Sequence, residues 1–159
     1  MMLLMRLLAH SGLLLVLCLA ARNVLTADNI REALQNHVPK SGVFPPADAG
    51  IHLDGDLVVS DPINRRGALR KSQHSKRHYF AMLPYGMVWY HGAPADVRDI
   101  PVGTHMHGRF LLPLEGEENT IPIAKEDLKA NLDYRYNHAI LIEDDASFYS
   151  RRGRSWKVL

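Results

Sequence analysis

Residues 51–159 predict a mainly β fold, a small antiparallel barrel with short peripheral helices, and three observations lead there. Apolar residues from Ile51 onward recur with period two, the signature of strands with one face turned inward. The apolar runs are short and are punctuated by turn formers: Asp54-Gly55, Asp61-Pro62, Pro84-Tyr85-Gly86, Pro101-Val102-Gly103 and Pro113. Helical spacing is confined to brief stretches, and many short strands sharing one hydrophobic set close into a sandwich or a barrel.

The chain opens differently. Residues 1–27 hold one early positive charge at Arg6, the apolar run Leu13 to Ala21, and small residues at Ala20, Ala21 and Ala27. That is the layout of a secretory signal peptide. A membrane span needs about 20 unbroken apolar residues, and His10, Ser11 and Gly12 interrupt this one. Export to the periplasm or cell envelope is therefore expected, with no transmembrane anchor after processing at Ala20 or, preferably, Ala27. Cys18, the one cysteine, lies in the leader, so the mature core holds without a disulfide and thiol catalysis is excluded. The leader carries Arg6 and Arg22 and no acid; 19 Lys+Arg less these two leaves 17, against 17 Asp+Glu. A formally neutral mature protein has no general field for nucleic acid or membranes, so no nucleic-acid partner is expected. Eight of the nine histidines lie beyond the leader, which makes its charge sensitive to mild acid.

Residues 28–50 form an arm. Asn29 and Glu32 have capping-box spacing ahead of Ile30, Ala33 and Leu34, predicting a helix over about residues 30 to 37. SGVFPPADAG (41–50) then reads as a linker or strap. Within IHLDGDLVVSDP, apolar runs flank a turn at Asp54-Gly55. NRRGALRKSQHSKR (64–77) has no apolar period and reads as a solvated basic loop. HYFAMLPYGMVWYHG predicts a hairpin about Pro84-Tyr85-Gly86.

Two registers compete in that hairpin. A two-residue loop sets Met82 against Met87, Phe80 against Trp89 and His78 against His91. A bulge at Gly86 shifts the pairing by one, and is favoured because proline fixes φ negative and cannot begin a primed turn. A turn or helix at 94–99 precedes a strand from about Thr104 to Leu112. AKEDLKANL (124–132) predicts one or two helical turns, and HAILIEDDASFYSRRGRSWKVL a long strand bent at Glu143 to Ala146 or at Arg152-Gly153. Trp156 to Leu159 reads as strand material, either cut short or pairing as a barrel edge.

The chemistry concentrates in PVGTHMHGRF (101–110). On a strand His105 and His107 point to one face, and His-x-His is a ligand spacing for Zn, Cu, Ni or Fe. A third donor is needed, and His91, Met82, Met87, His138 and Glu115 are the candidates, with nothing local to fix which. The bland alternative makes both imidazoles half-exposed wall residues. Phe80, Trp89 and Tyr90 supply either core or a contact surface. Glu143, Asp144 and Asp145 lack the oxygen-ligand spacing of a calcium loop. Arg151, Arg152 and Arg154 beside Trp156 read as a solvated corner. No nucleophile elbow, zinc-protease, P-loop or dinucleotide motif occurs.

Three resemblances bear on these residues. Pro101, Gly103, His105 and His107 resemble the first metal motif of cupins, which implies a metalloenzyme; the family's following glutamate is missing from residues 108–114, and His138 lacks its Pro-x-Gly turn. Met82, Met87, Trp89, His91, Met106 and His107 are similar in type to the Cu(I) set of CusF-type periplasmic copper chaperones, in a different order. YHGAPADVRDIPVGTHMHGRF and EDDASFYSRRGRSWKV resemble uncharacterised exported proteins of planctomycete-type bacteria and OB-like domains of unknown function. That likeness implies an OB-like barrel and an envelope compartment, with no activity to transfer. The sequence thus predicts a non-enzymatic exported binding or envelope-structural module without cofactor, its partner an unknown ligand or envelope protein. A Cu- or Zn-type metal protein on His105, His107 and His91 is the alternative.

Overall fold

The computed structural model describes residues 26–115 and 135–154. Contacts divide the chain after Arg31, and the barrel belongs to the unit formed by residues 32–159. The elements in chain order are α1 (Ala27–Gln35), β1 (Ile51–Asp61), β2 (Arg66–Arg70), β3 (Arg77–Tyr90), β4 (Ala93–Ala95), a 3-10 turn (Val97–Asp99), β5 (His105–Leu111), β6 (His138–Asp144) and α2 (Asp145–Ser150). The leader, the helix expected at 124–132 and residues Trp156 to Leu159 lie outside the described residues. Among the described residues no helix is long and apolar enough to cross a membrane.

Five strands close into a barrel of OB-like topology. The sheet runs β2-β1-β5-β6-β3, and a further pairing of β2 with β3 joins its ends. All of these contacts are antiparallel except β3 with β6. Closure rests on two long strands that each serve two neighbours. β1 pairs with β5 through Ile51–Asp56 and with β2 through Asp56–Asp61. β3 pairs with β2 through Arg77–Ala81 and with β6 between Ala81 and Trp89.

Alternation then sorts the side chains. Leu57, Leu69, Phe80, Met82, Val88, Met106, Phe110, Ala139 and Ile142 fill the interior, and Val97 and Ile100 join them from the 3-10 turn. Asp96 caps that turn reciprocally with Asp99. Phe80 and Phe110 meet at 5.8 Å between ring centres, and truncating either to alanine costs about 3–5 kcal/mol by the usual core scale. A smaller cluster outside the wall packs Leu83 and Leu111 under Ala49, with Tyr85, Leu114 and Ile140 at its edge. Residues 41–50 are thus a strap over the barrel, tied by the Gly50 amide to the Leu34 carbonyl (2.8 Å).

Five expectations need correction. The hairpin at Pro84 does not form in either register: β3 runs through it, and residues between Met82 and Met87 bulge outward against β6. The Arg65 guanidinium donates to the Leu83, Pro84 and Gly86 carbonyls at 3.4, 3.5 and 3.0 Å, so the would-be turn is held open as a clamped bulge. The reversal comes later, at His91-Gly92, where φ of 52° and 79° between Tyr90 and Ala93 makes the primed two-residue loop that proline cannot start.

Asp54-Gly55 is likewise no turn. β1 continues through it, and Gly55 serves instead the close approach of the Arg70 carbonyl, which a Cβ there would meet at 2.9 Å. Residues 66–70 are a strand, not loop: the inward Gly67 and Leu69 are short and apolar enough to pack, and their charged neighbours hid the alternation. The last run is a strand only to Asp144, and a helix follows because Asp144 accepts from the Ser147 amide (3.0 Å) as an N-cap. The helix at the amino end starts at Ala27, with Thr26 Oγ1 accepting from the Asn29 amide (3.3 Å).

Gly86 lies against the Ala139 carbonyl, which an added Cβ would meet at 2.8 Å. Gly86→Ala is expected to lower stability by about 1–3 kcal/mol through overpacking, whereas Pro84→Ala at the exposed crest is expected to change little. Urea unfolding of the two variants checks the contrast.

Candidate metal centre on the outer wall

β5 delivers its odd residues outward, because Met106 and Phe110 take the inward positions. Cross-strand pairing sets Asp56 opposite His105, Asp54 opposite His107 and His52 opposite Arg109 on β1, and Glu143 opposite His107 on β6. Imidazoles and carboxylates thus share one patch of wall. α2 covers part of it. Asp145 and Phe148 are three apart on that helix and both reach His107: Asp145 Oδ1 lies 2.8 Å from His107 Nε2, and the Phe148 ring stacks on the imidazole at 3.7 Å and 11°. The Arg152 guanidinium sits 3.6 Å from the centre of Phe148 on its other side and bonds Glu143 Oε1 at 3.2 Å.

His107 is buried while His105 is half-buried. A carboxylate accepts only, so the His107 Nε2–H donates a hydrogen bond to Asp145, while Nδ1 is buried without a hydrogen-bond partner. His105 is held differently: Nδ1 faces Asp56 Oδ1 at 3.0 Å, and Nε2 lies 3.9 Å from Asp54 Oδ2. An imidazole with one nitrogen on a carboxylate presents the other in a fixed direction, as ligand histidines do.

His105, His107 and Asp145 each bring a donor atom to within 4.8 Å of the other two, the separation at which one ion can bridge them. The set of two nitrogens and an oxygen suits Zn²⁺, Ni²⁺, Cu²⁺ or Fe²⁺. It does not suit Cu(I). Met106 and Met82 point into the core, Met87 is exposed on β3, and the barrel wall separates Met106 from the neighbouring His107. The thioether and imidazole groups that the chaperone likeness would join are therefore divided.

Other residues singled out from the sequence lie elsewhere. His91 stands outside the three-donor group: its left-handed backbone in the β3–β4 turn sends the ring to solvent, 66% exposed, with Nδ1 3.7 Å from Asp144 Oδ2. His138 is buried with Nδ1 on Asn137 (2.8 Å). Phe80 is interior and offers no contact surface, whereas Trp89 and Tyr90 are half-buried. Of the three consecutive acids, Glu143 is buried between Arg151 and Arg152, Asp144 caps α2 and accepts from the His91 amide (3.1 Å), and only Asp145 reaches the histidines. The chain matches no protein-family model, no curated protein and no solved structure.

His52 closes the patch, its ring 5.6 Å from that of His107 and 5.4 Å from Phe148. Its outer side stays open to solvent, yet desolvation of the covered side, then the charge of His107 when protonated, pulls its pKa below 6.5. Below pH 6.5 the unfolded chain takes up a proton there that the folded chain resists, so stability falls as pH drops from 6.5 toward the lowered folded value. In His52→Gln that part of the acid-side loss is expected to disappear, giving a flatter profile between pH 7.5 and pH 5.5 in urea unfolding.

Proposed function

We propose that this chain is a non-enzymatic binding module whose ligand is a divalent transition metal of the Zn²⁺ type, held by His105, His107 and Asp145 on the outer wall of the barrel. The observation that carries the reading is the convergence of these three donors within 4.8 Å of one another, one of them a buried imidazole. Asp54 is placed to add a fourth oxygen and Asp56 to orient His105 from behind. The site sits on a five-stranded ring rather than the eight-stranded double sheet of a jelly roll, which favours a binding role over a cupin-like reaction. Export to the envelope, resting on the pattern of residues 1–27, would set the module to work as a metal-holding protein outside the cytoplasm.

Imidazoles ligate a metal only in the neutral form, so affinity is expected to rise with pH. Calorimetric titration of untagged, chelator-stripped protein with Zn²⁺ is expected to give one ion per chain, and His105→Ala/His107→Ala or Asp145→Asn to remove that binding. Asp56→Asn is expected to weaken it by about 10- to 100-fold while leaving the stoichiometry alone. Absence of heat with the unaltered protein, or full binding by the double variant, would overturn the proposal.

A further inference from the structure

We infer that α2 is a latch fastened by the bound ion: metal uptake locks residues 145–152 onto the barrel and metal loss frees them, so the outer face of the protein differs between the filled and the empty site. The inference rests on the metal reading and adds the conformational switch that the site controls.

The three donors come from two elements. His105 and His107 lie on β5, which β1 and β6 hold from both sides, whereas Asp145 is the first residue of α2. Asp145 meets the wall through its hydrogen bond to His107, at 2.8 Å. An ion among the three donors joins the helix to both histidines at once. It therefore binds the docked arrangement and not the lifted one, and a ligand that prefers one of two states populates that state.

α2 is poorly equipped to stay down by itself. It has six residues, of which Ser147 is the one buried, and isolated helices shorter than about 12 residues are marginal in water. Ala146, Phe148 and Tyr149 are half-buried, so docking covers little apolar area. The ties are polar instead. Asp144 accepts from the Ser147 and His91 amides at 3.0 and 3.1 Å, Ser147 Oγ accepts from the Gly92 amide at 2.9 Å, and Arg151 and Arg152 reach Glu143 at 3.3 and 3.2 Å. Water replaces each of these bonds when the segment lifts, which leaves them a modest net worth. The segment also has a joint at either end: Asp144 is extended, with φ of −74° and ψ of 171°, and Gly153 has φ of 66°.

The docked helix hides reactive groups. The side chains of His107 and Glu143 are 9% and 2% exposed, and the two residues are cross-strand partners on β5 and β6. Phe148 covers the His107 ring at 3.7 Å and lies 5.4 Å from that of His52. Lifting α2 bares the imidazole, the carboxylate and the underside of Phe148 together, a face that the loaded protein does not present.

The test is hydrogen exchange of the untagged, chelator-stripped full chain, read amide by amide by NMR, without Zn²⁺ and with Zn²⁺ at about 100 times its calorimetric dissociation constant. Exchange through a local opening tracks the population of the open state. In the metal-free protein the Ser147 and Arg151 amides are expected to exchange about tenfold or more faster than those of Met106 and Phe110. Zn²⁺ is expected to slow them about 100-fold, the factor by which an ion at that concentration depletes the lifted state, and to leave the Ser75 amide of the β2–β3 turn unchanged. Arg152→Gln keeps all three donors and is expected to speed metal-free exchange of α2 about tenfold, with Zn²⁺ restoring protection. Metal-free α2 amides as slow as those of β5, Zn²⁺ binding in the calorimeter without slowing of α2, or unaltered exchange in Arg152→Gln would each overturn the inference and leave the metal reading in place. Absence of Zn²⁺ binding overturns both.

Discussion

The structure depends on ring closure by two overlong strands. β1 and β3, 11 and 14 residues long, each change partners partway along. Both changes occur where the backbone comes unusually close to a neighbour: β1 at Gly55, under the Arg70 carbonyl, and β3 ahead of the bulge that Arg65 clamps. A strand that stopped at either point would leave an open sheet with two unpaired edges, the liability that barrels abolish. Gly55 and Arg65 therefore contribute through topology as much as through any local contact.

The patch of histidines and carboxylates follows from the same closure. Once Met106 and Phe110 are drawn inward, His105, His107 and Arg109 have only the outer face left, and β1 on one side and β6 on the other supply Asp54, Asp56 and Glu143 at matching heights. Strand pairing alone would leave His107 in water. α2 changes that, since Asp144 starts a helix directly after β6 and so folds Asp145 and Phe148 back over the imidazole. Burial of one histidine and exposure of its neighbour thus arise from a single cap, and the Arg152 pairing with Glu143 anchors the cover from its far end.

Much of this was legible in the sequence, and what was missed has a common cause. Period two from Ile51 located β1, β5 and β6, and His-x-His on one face was legible as soon as 105–111 was read as a strand. The hairpin was misplaced because Pro84-Tyr85-Gly86 looks like a turn locally; only Arg65, nineteen positions before Pro84, makes it a bulge. β2 was missed because Gly67 and Leu69 give too weak an alternation between arginines. Asp145 was passed over because three consecutive acids were weighed as one group, whereas the Asp144-x-x-Ser147 spacing signals a helix start that separates their duties. In each case a long-range contact decided between two locally acceptable readings.

The β5 face and the β2–β3 tip arrange their charges differently. On the β5 side His105, His107 and Arg152 each have a carboxylate within reach, and the bonds from Asp145 and Arg152 hold α2 against the wall. At the β2–β3 tip Arg70 and Arg77 are direct cross-strand partners. Asp56 stands between the two, its carboxylate turned to His105 although Arg70 is its cross-strand neighbour.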